Sequence, residues 1–222
     1  MAAKISADMS FDDQEDEIIF TRAALSADPD ARDLLPLTDA WMAWVETSRA
    51  RDREARIAVA TAYAQRRVSN LRLDDACQGF AGELELAVKE DRKSPRWLRF
   101  FSGIASSASD FIRLPFAEQT NRVVGWLTGT DEVLERHRAP LTDWSKAAGH
   151  AITATNATAQ VRGEAAIARE ETAEALTRGR DGLEARLVER ANERGLPRQW
   201  PKTMFKPRKQ SDQDDGPPVP PV

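Results

Sequence analysis

Cysteine, histidine and glycine are the scarce residues of this chain. It has one cysteine, Cys77, and two histidines, His137 and His150. A lone thiol excludes a disulfide framework within the chain and a cysteine-ligated zinc site. Di-metal helical bundles need Glu-x-x-His pairs facing inward, and neither histidine has a glutamate three positions before it. His137 does follow Glu135, but a two-residue step sends the two side chains to different sides of a helix. The 11 glycines are scattered, so no phosphate-cradling loop or dinucleotide fingerprint can be assembled from them. Uninterrupted apolar runs are a few residues long, whereas about 20 residues are needed to cross a bilayer as a helix. The N-terminus, MAAKISADMSFDDQEDE, lacks the basic start and apolar stretch of a secretory signal. These absences give the expectation of a cytoplasmic chain with no cofactor, no metal and no catalytic site. The competing enzymatic reading is an unfamiliar all-helical site near His137 or His150.

Charge excludes less. The 32 basic and 36 acidic residues leave a net −4, so no whole-molecule field draws the chain to nucleic acid or an anionic membrane. Carboxylates and arginines interleave, as at Glu46, Arg49, Glu54 and Arg56, the pattern of a solvated helix face.

Proline spacing carries the fold signal. No proline lies between Pro36 and Pro95, and none between Pro140 and Pro197. Long helices can exist only where proline does not remove a hydrogen bond and crowd the preceding turn. Both stretches are rich in alanine, glutamate, arginine and leucine, all good helix formers. Apolar residues recur at steps of three and four: Leu37, Trp41, Trp44 and Val45, then Ala55, Val59, Ala62 and Tyr63, then Leu73, Cys77, Phe80, Leu84 and Val88. The second stretch repeats the pattern from Leu141, Trp144, Ala148 and Ile152 to Leu183, Leu187 and Ala191. Such steps give each helix one apolar face. Thr38 and Thr142 are the expected N-caps, each followed by an aspartate that suits the helix dipole. Each stretch is expected to form a long helix, with Val68-Ser69-Asn70 and Gly179 to Gly182 as the places where it could kink or turn back as a hairpin. Short helices are expected over Asp13–Ala27, 105–113, 116–127 and 130–138.

The two stretches belong to a longer repetition. Pro36-Leu37-Thr38-Asp39 recurs as Pro140-Leu141-Thr142-Asp143, 104 residues on. Trp41 and Trp144 follow. Pro95-Arg96-Trp97 with Phe101 is matched by Pro197-Arg198-Gln199-Trp200 with Phe205, and Leu25-Ser26 with Asp28 by Leu127-Thr128 with Asp131. Glu54-Ala55-Arg56-Ile57-Ala58 is echoed, across a gap, by Glu164-Ala165-Ala166-Ile167-Ala168. Helix composition alone does not place proline and tryptophan in the same order twice. The expected fold is therefore all-α, an elongated helical bundle of two duplicated halves, each centred on a long amphipathic helix. The halves are 12–101 and 102–205, with a loose N-terminus over 1–11 and a disordered charged, proline-rich tail over 206–222.

Six tryptophans are many for so polar a chain. Trp41, Trp44 and Trp144 read as wedges in the core. Two segments carry a different pattern. Arg92, Lys93, Arg96 and Arg99 alternate with Trp97, Phe100 and Phe101, and Arg198, Lys202 and Lys206 with Trp200 and Phe205. Basic residues among aromatics can contact phosphate and stack on bases, or sit at an anionic membrane or granule surface. They can equally complement helix C-termini and close a core. A helical scaffold or protein-interaction role, through a protein partner or self-association, is the first expectation. Anionic-surface binding through these segments is the second.

Overall fold

A computed structural model of the chain describes residues 4–102 and 107–207. The protein is all-α: every regular element among the described residues is helical. None of these helices is long and apolar enough to cross a membrane.

Helix α1 spans Phe11–Ala27. Ser10 caps it by accepting the Asp13 amide at 3.0 Å, and Asp12 and Asp13 meet the positive end of its dipole. A 3₁₀ turn, Arg32–Leu34, runs into α2, Leu35–Ala87. Three short helices follow, α3 (Pro95–Phe101), α4 (Ala108–Phe111) and α5 (Phe116–Leu127). Helix α6 covers Glu132–Arg194, and a second 3₁₀ turn occupies Trp200–Met204.

Neither long helix breaks where a turn was conceivable. Asn70 donates to Asp74 at 2.9 Å along α2. Gly179 sits where an added Cβ would meet the Trp41 ring at 2.6 Å. That glycine serves close packing, not a turn.

The structure corrects the expected helix starts. Thr38 lies inside α2, its hydroxyl bonded back to the Leu35 carbonyl at 2.7 Å. Thr142 and Pro140 lie inside α6, which absorbs the separate helix expected over 130–138. Pro140 sits on the exposed side, so the carbonyl it leaves without an amide partner can meet water. Asp131 is the true cap of α6: its Oδ1 accepts the amides of Val133 at 2.9 Å and Leu134 at 3.4 Å. Trp44 and Tyr63 are exposed rather than core residues, and Trp144 is half-buried. The N-terminus is not uniformly loose: Ile5 is buried and donates its amide to Thr177 Oγ1 at 3.2 Å. Among the described residues, the helix expected over 105–113 is α4. Residues 105 and 106, and the tail from residue 208, lie outside the described residues.

The helix ends differ. At the end of α6, Gly195 takes φ 66° and the Leu196 amide reaches back to the Ala191 carbonyl at 2.9 Å, a glycine-terminated closure. At the end of α2 the Glu90 amide reaches the Glu85 carbonyl at 2.9 Å, but the left-handed residues are Lys89 and Glu90.

The chain forms two compact units, Met1–Arg53 with Glu164–Val222, and Glu54–Gly163. These do not coincide with the halves 12–101 and 102–205. Each unit combines the first stretch of one long helix with the last stretch of the other. In the first unit, Ile18 and Leu25 of α1 pack with Trp41 and Val45 of α2 and with Leu176, Leu183 and Leu187 of α6. In the second, Leu73, Phe80 and Leu84 of α2 pack with Leu134, Leu141 and Ala148 of α6 and with an aromatic cluster from the short helices. Phe80 lies edge-on to Phe100 at 5.0 Å, and Phe111 lies against Trp126 at 4.6 Å. Both distances are typical of favourable ring pairs.

Candidate interaction surface

The first basic–aromatic segment opens at Ser94. Its hydroxyl accepts the Trp97 amide at 3.3 Å and Pro95 occupies the first helical turn, which starts α3. This helix turns its aromatics inward. Trp97 is 1% exposed, stacks on Phe101 at 4.5 Å, and has the Arg92 guanidinium 5.9 Å from its ring centre. Phe100 and Phe101 are buried as well. Arg92 also reaches Glu85 at 2.7 Å. Arg96 grips Asp131 through two bonds, at 2.8 and 2.9 Å. That bond, helped by the amides of Val133 and Leu134, holds the Asp131 carboxyl below the ordinary carboxylate range despite its partial burial. Arg99 donates to the Thr130 carbonyl at 3.1 Å and lies 5.4 Å from the Phe100 ring centre. Lys93 is exposed.

The second segment behaves similarly. Trp200 is half-buried, and its indole N–H donates to Asp28 at 2.7 Å. Phe205 is buried under Arg180, whose guanidinium lies 5.2 Å from the ring centre and donates to Glu17 at 2.7 Å. Lys206 Nζ is 3.5 Å from Asp16. Arg198 and Lys202 are exposed. The first segment belongs to the unit Glu54–Gly163 and the second to the other unit. In both, the aromatic residues close cores and caps; Arg92, Arg96 and Lys206 hold acids of the same chain, and Arg99 holds a carbonyl. Base stacking needs an open ring face, and Trp97 presents none.

The titratable residues singled out by rarity are placed as follows. Burial pushes the Cys77 thiol far up, with Asp74 adding to the effect, which opposes a reactive thiolate. Asp74 is itself raised by burial, although Gln119 donates to it at 2.5 Å. His137 Nε2 is 3.1 Å from Glu83, and its ring lies edge-on to Phe80. His150 is exposed. Among the described residues, no three His, Cys, Asp or Glu side chains are grouped as a metal would require. A cleft of about 310 Å³ is lined by Arg99, Arg122, Trp126 and Gly129, and one of about 500 Å³ by Lys4, Asp8, Glu170 and Arg178.

A different surface stands out. On α2, Ile57, Thr61, Ala64, Val68 and Leu71 are all exposed, at steps of four, three, four and three residues. Ile57 is 55% exposed, Val68 55% and Leu71 60%. At 3.6 residues per turn these five share one stripe, which runs on through Asp75 and Gly82 to Leu86, 73% exposed. Val59, Ala62, Leu73, Cys77, Phe80 and Leu84 are buried on the opposite side. Alternating steps of three and four are the seam of a coiled coil, which a second helix normally covers. Reading the stretch for a single apolar face hides this second one. The signal is nonetheless present in the order Ile57, Ala64, Leu71, a seven-residue repeat.

The chain matches no protein-family model, no curated protein and no solved structure.

Proposed function

We propose that this chain is a non-catalytic helical interaction protein that docks a second helix on the exposed apolar stripe of α2. One observation carries the reading: Ile57, Val68 and Leu71 stand in solvent on the side of α2 facing away from its core. Each such side chain, already partly covered by its own chain, gains on the order of 1 kcal/mol when the rest is covered, so three in line add up to a driving force. A helix with two apolar sides is the arrangement of an element shared between its own core and a partner.

A photoreactive amino acid at position 68, in cells that make the protein, tests the proposal. A discrete cross-linked adduct is expected at 68 and none at Asp143, an exposed position on α6. Equal labelling at both sites, or at neither, rules the reading out. Anionic-surface binding through the basic–aromatic segments is the weaker reading, because it rests on Lys93, Arg198 and Lys202 once the other cations are engaged.

The two halves we read as a true duplication. Corresponding positions support it. Asp28 and Asp131, 103 residues apart, each receive a side chain from the matching Pro-Arg-Trp region, Trp200 in one case and Arg96 in the other. Lys89 and Gly195 take the same left-handed place after the two long helices.

A further inference from the structure

We infer that the occupant of the α2 stripe is a second copy of this chain, lying antiparallel to the first. This rests on the reading of the stripe as a docking face and adds who docks and in which direction.

Charge along α2 is polarised about the middle of the stripe. Arg53, Arg56 and Arg67 border its first part and Arg72 stands at its middle, with Glu54 as the only acid among these flanking positions. Asp74, Asp75, Glu83 and Glu85 border its second part, and residues 73–88 contain no lysine or arginine. A parallel copy in register would set arginine beside arginine and carboxylate beside carboxylate, which costs association. An antiparallel copy sets Arg56 and Arg67 of each chain toward Glu85 and Asp74 of the other along one flank. Glu83 and Glu85 also meet Arg136 and Arg92 of their own chain, and Asp74 accepts from Asn70 and Gln119, so Asp75 is the most exposed acid of this part.

The two ends of the stripe agree with this direction. One register, centred between Leu71 and Arg72, places Ile57 of each copy opposite Leu86 of the other. It places Thr61 opposite Gly82, where the absence of a side chain leaves open space. It sets Leu71 and Arg72 together at the centre. Val68 then faces Asp75, which lies one helical turn from Arg72 of the second copy. Such a contact is its own mirror under a two-fold axis, the commonest symmetry of soluble homodimers.

The test combines mass with cysteine pairing in the full chain, Cys77 being buried and out of reach. Light scattering is expected to show twice the 24.7 kDa chain mass at high concentration, with the dimer loosened by added salt. Under mild oxidation Leu71→Cys is expected to cross-link to itself. Ile57→Cys alone is expected not to, but a mixture of the Ile57→Cys and Leu86→Cys proteins is expected to cross-link to each other. Self-linking of Ile57→Cys as efficient as that of Leu71→Cys overturns the antiparallel arrangement. A monomer at every soluble concentration overturns self-pairing altogether. A monomer that still gives a position-68 adduct with another protein leaves the docking reading standing. A monomer with no adduct removes both. Circular dichroism of each variant confirms folding, since all three substituted sites are exposed.

Discussion

Arg96 and Asp131 lock the start of one helix to the start of another. The guanidinium on α3 holds both carboxylate oxygens, while Oδ1 of the same carboxylate also accepts the first amides of α6. One acid thus acts as cap and as ion-pair partner.

That double role predicts an acid sensitivity. Asp131 has its pKa lowered in the folded chain, first by the Arg96 hydrogen bond. The stabilisation is therefore complete above the ordinary aspartate pKa of 3.8 and is lost as pH falls through the depressed folded value. Asp131→Asn should lower stability at pH 7 by roughly 1–3 kcal/mol. It should also flatten the decline in acid. Urea unfolding of wild type and variant from pH 7 down to pH 3 measures both effects.

Gly179 and Gly182 make a matched pair on α6. An added methyl at 179 meets the buried Trp41 ring at 2.6 Å, whereas at 182 nothing lies within 4 Å. Gly179→Ala should destabilise by about 1–3 kcal/mol through overpacking. Gly182→Ala should stabilise by up to about 1 kcal/mol through helix propensity. Thermal melts of the two single variants decide it, and the signs should be opposite.

The end of α2 lacks the glycine that ends α6. Lys89 holds φ 53°, a left-handed conformation that costs a side-chain-bearing residue roughly 1–2 kcal/mol. Lys89→Gly should raise the unfolding midpoint by a matching amount. The same substitution at Arg162, inside α6, should lower it.

The stripe on α2 predicts a separation of association from stability. Val68→Glu should abolish the cross-linked adduct and any dimer. At concentrations where both proteins are monomeric it should change unfolding by no more than about 0.5 kcal/mol, as exposed substitutions usually do. Sedimentation at high concentration and melting at low concentration report the two quantities.

Burial of Cys77 should make it inert. Its thiol is pushed up by burial, so alkylation at pH 8 should be slow in the native chain and rapid in denaturant. Mass spectrometry of iodoacetamide-treated samples follows the reaction.

Proline spacing made both long helices legible, because a helix cannot be drawn easily through the residues that break it. The same reasoning misplaced the start of α6. Pro140 looked like Pro36, but Pro36 stands in the first turn of α2, where its missing N–H costs nothing, and Pro140 stands in solvent further along. The basic–aromatic segments are visible in the sequence, but what their side chains hold is not. Their partners, Asp131 for Arg96 and Asp28 for Trp200, lie 35 and 172 residues away, and no local pattern reveals such a distance. Tyr63 and Trp44 were assigned inward because spacing identifies a side of a helix, not which of two apolar sides meets the core. The Ile57–Leu71 stripe escaped for the same reason.

The way the first unit is assembled bears on how the chain is made. Its core joins Ile18 and Leu25 to Leu183, Leu187 and Phe205, and Ile5 reaches Thr177. On the ribosome, the N-terminal segments must therefore wait until nearly everything else has emerged. The second unit, drawn from Glu54–Gly163, has all its pieces well before that. Folding should thus run from the middle outward, with the apolar side of α1 uncovered until the end of α6 has been made.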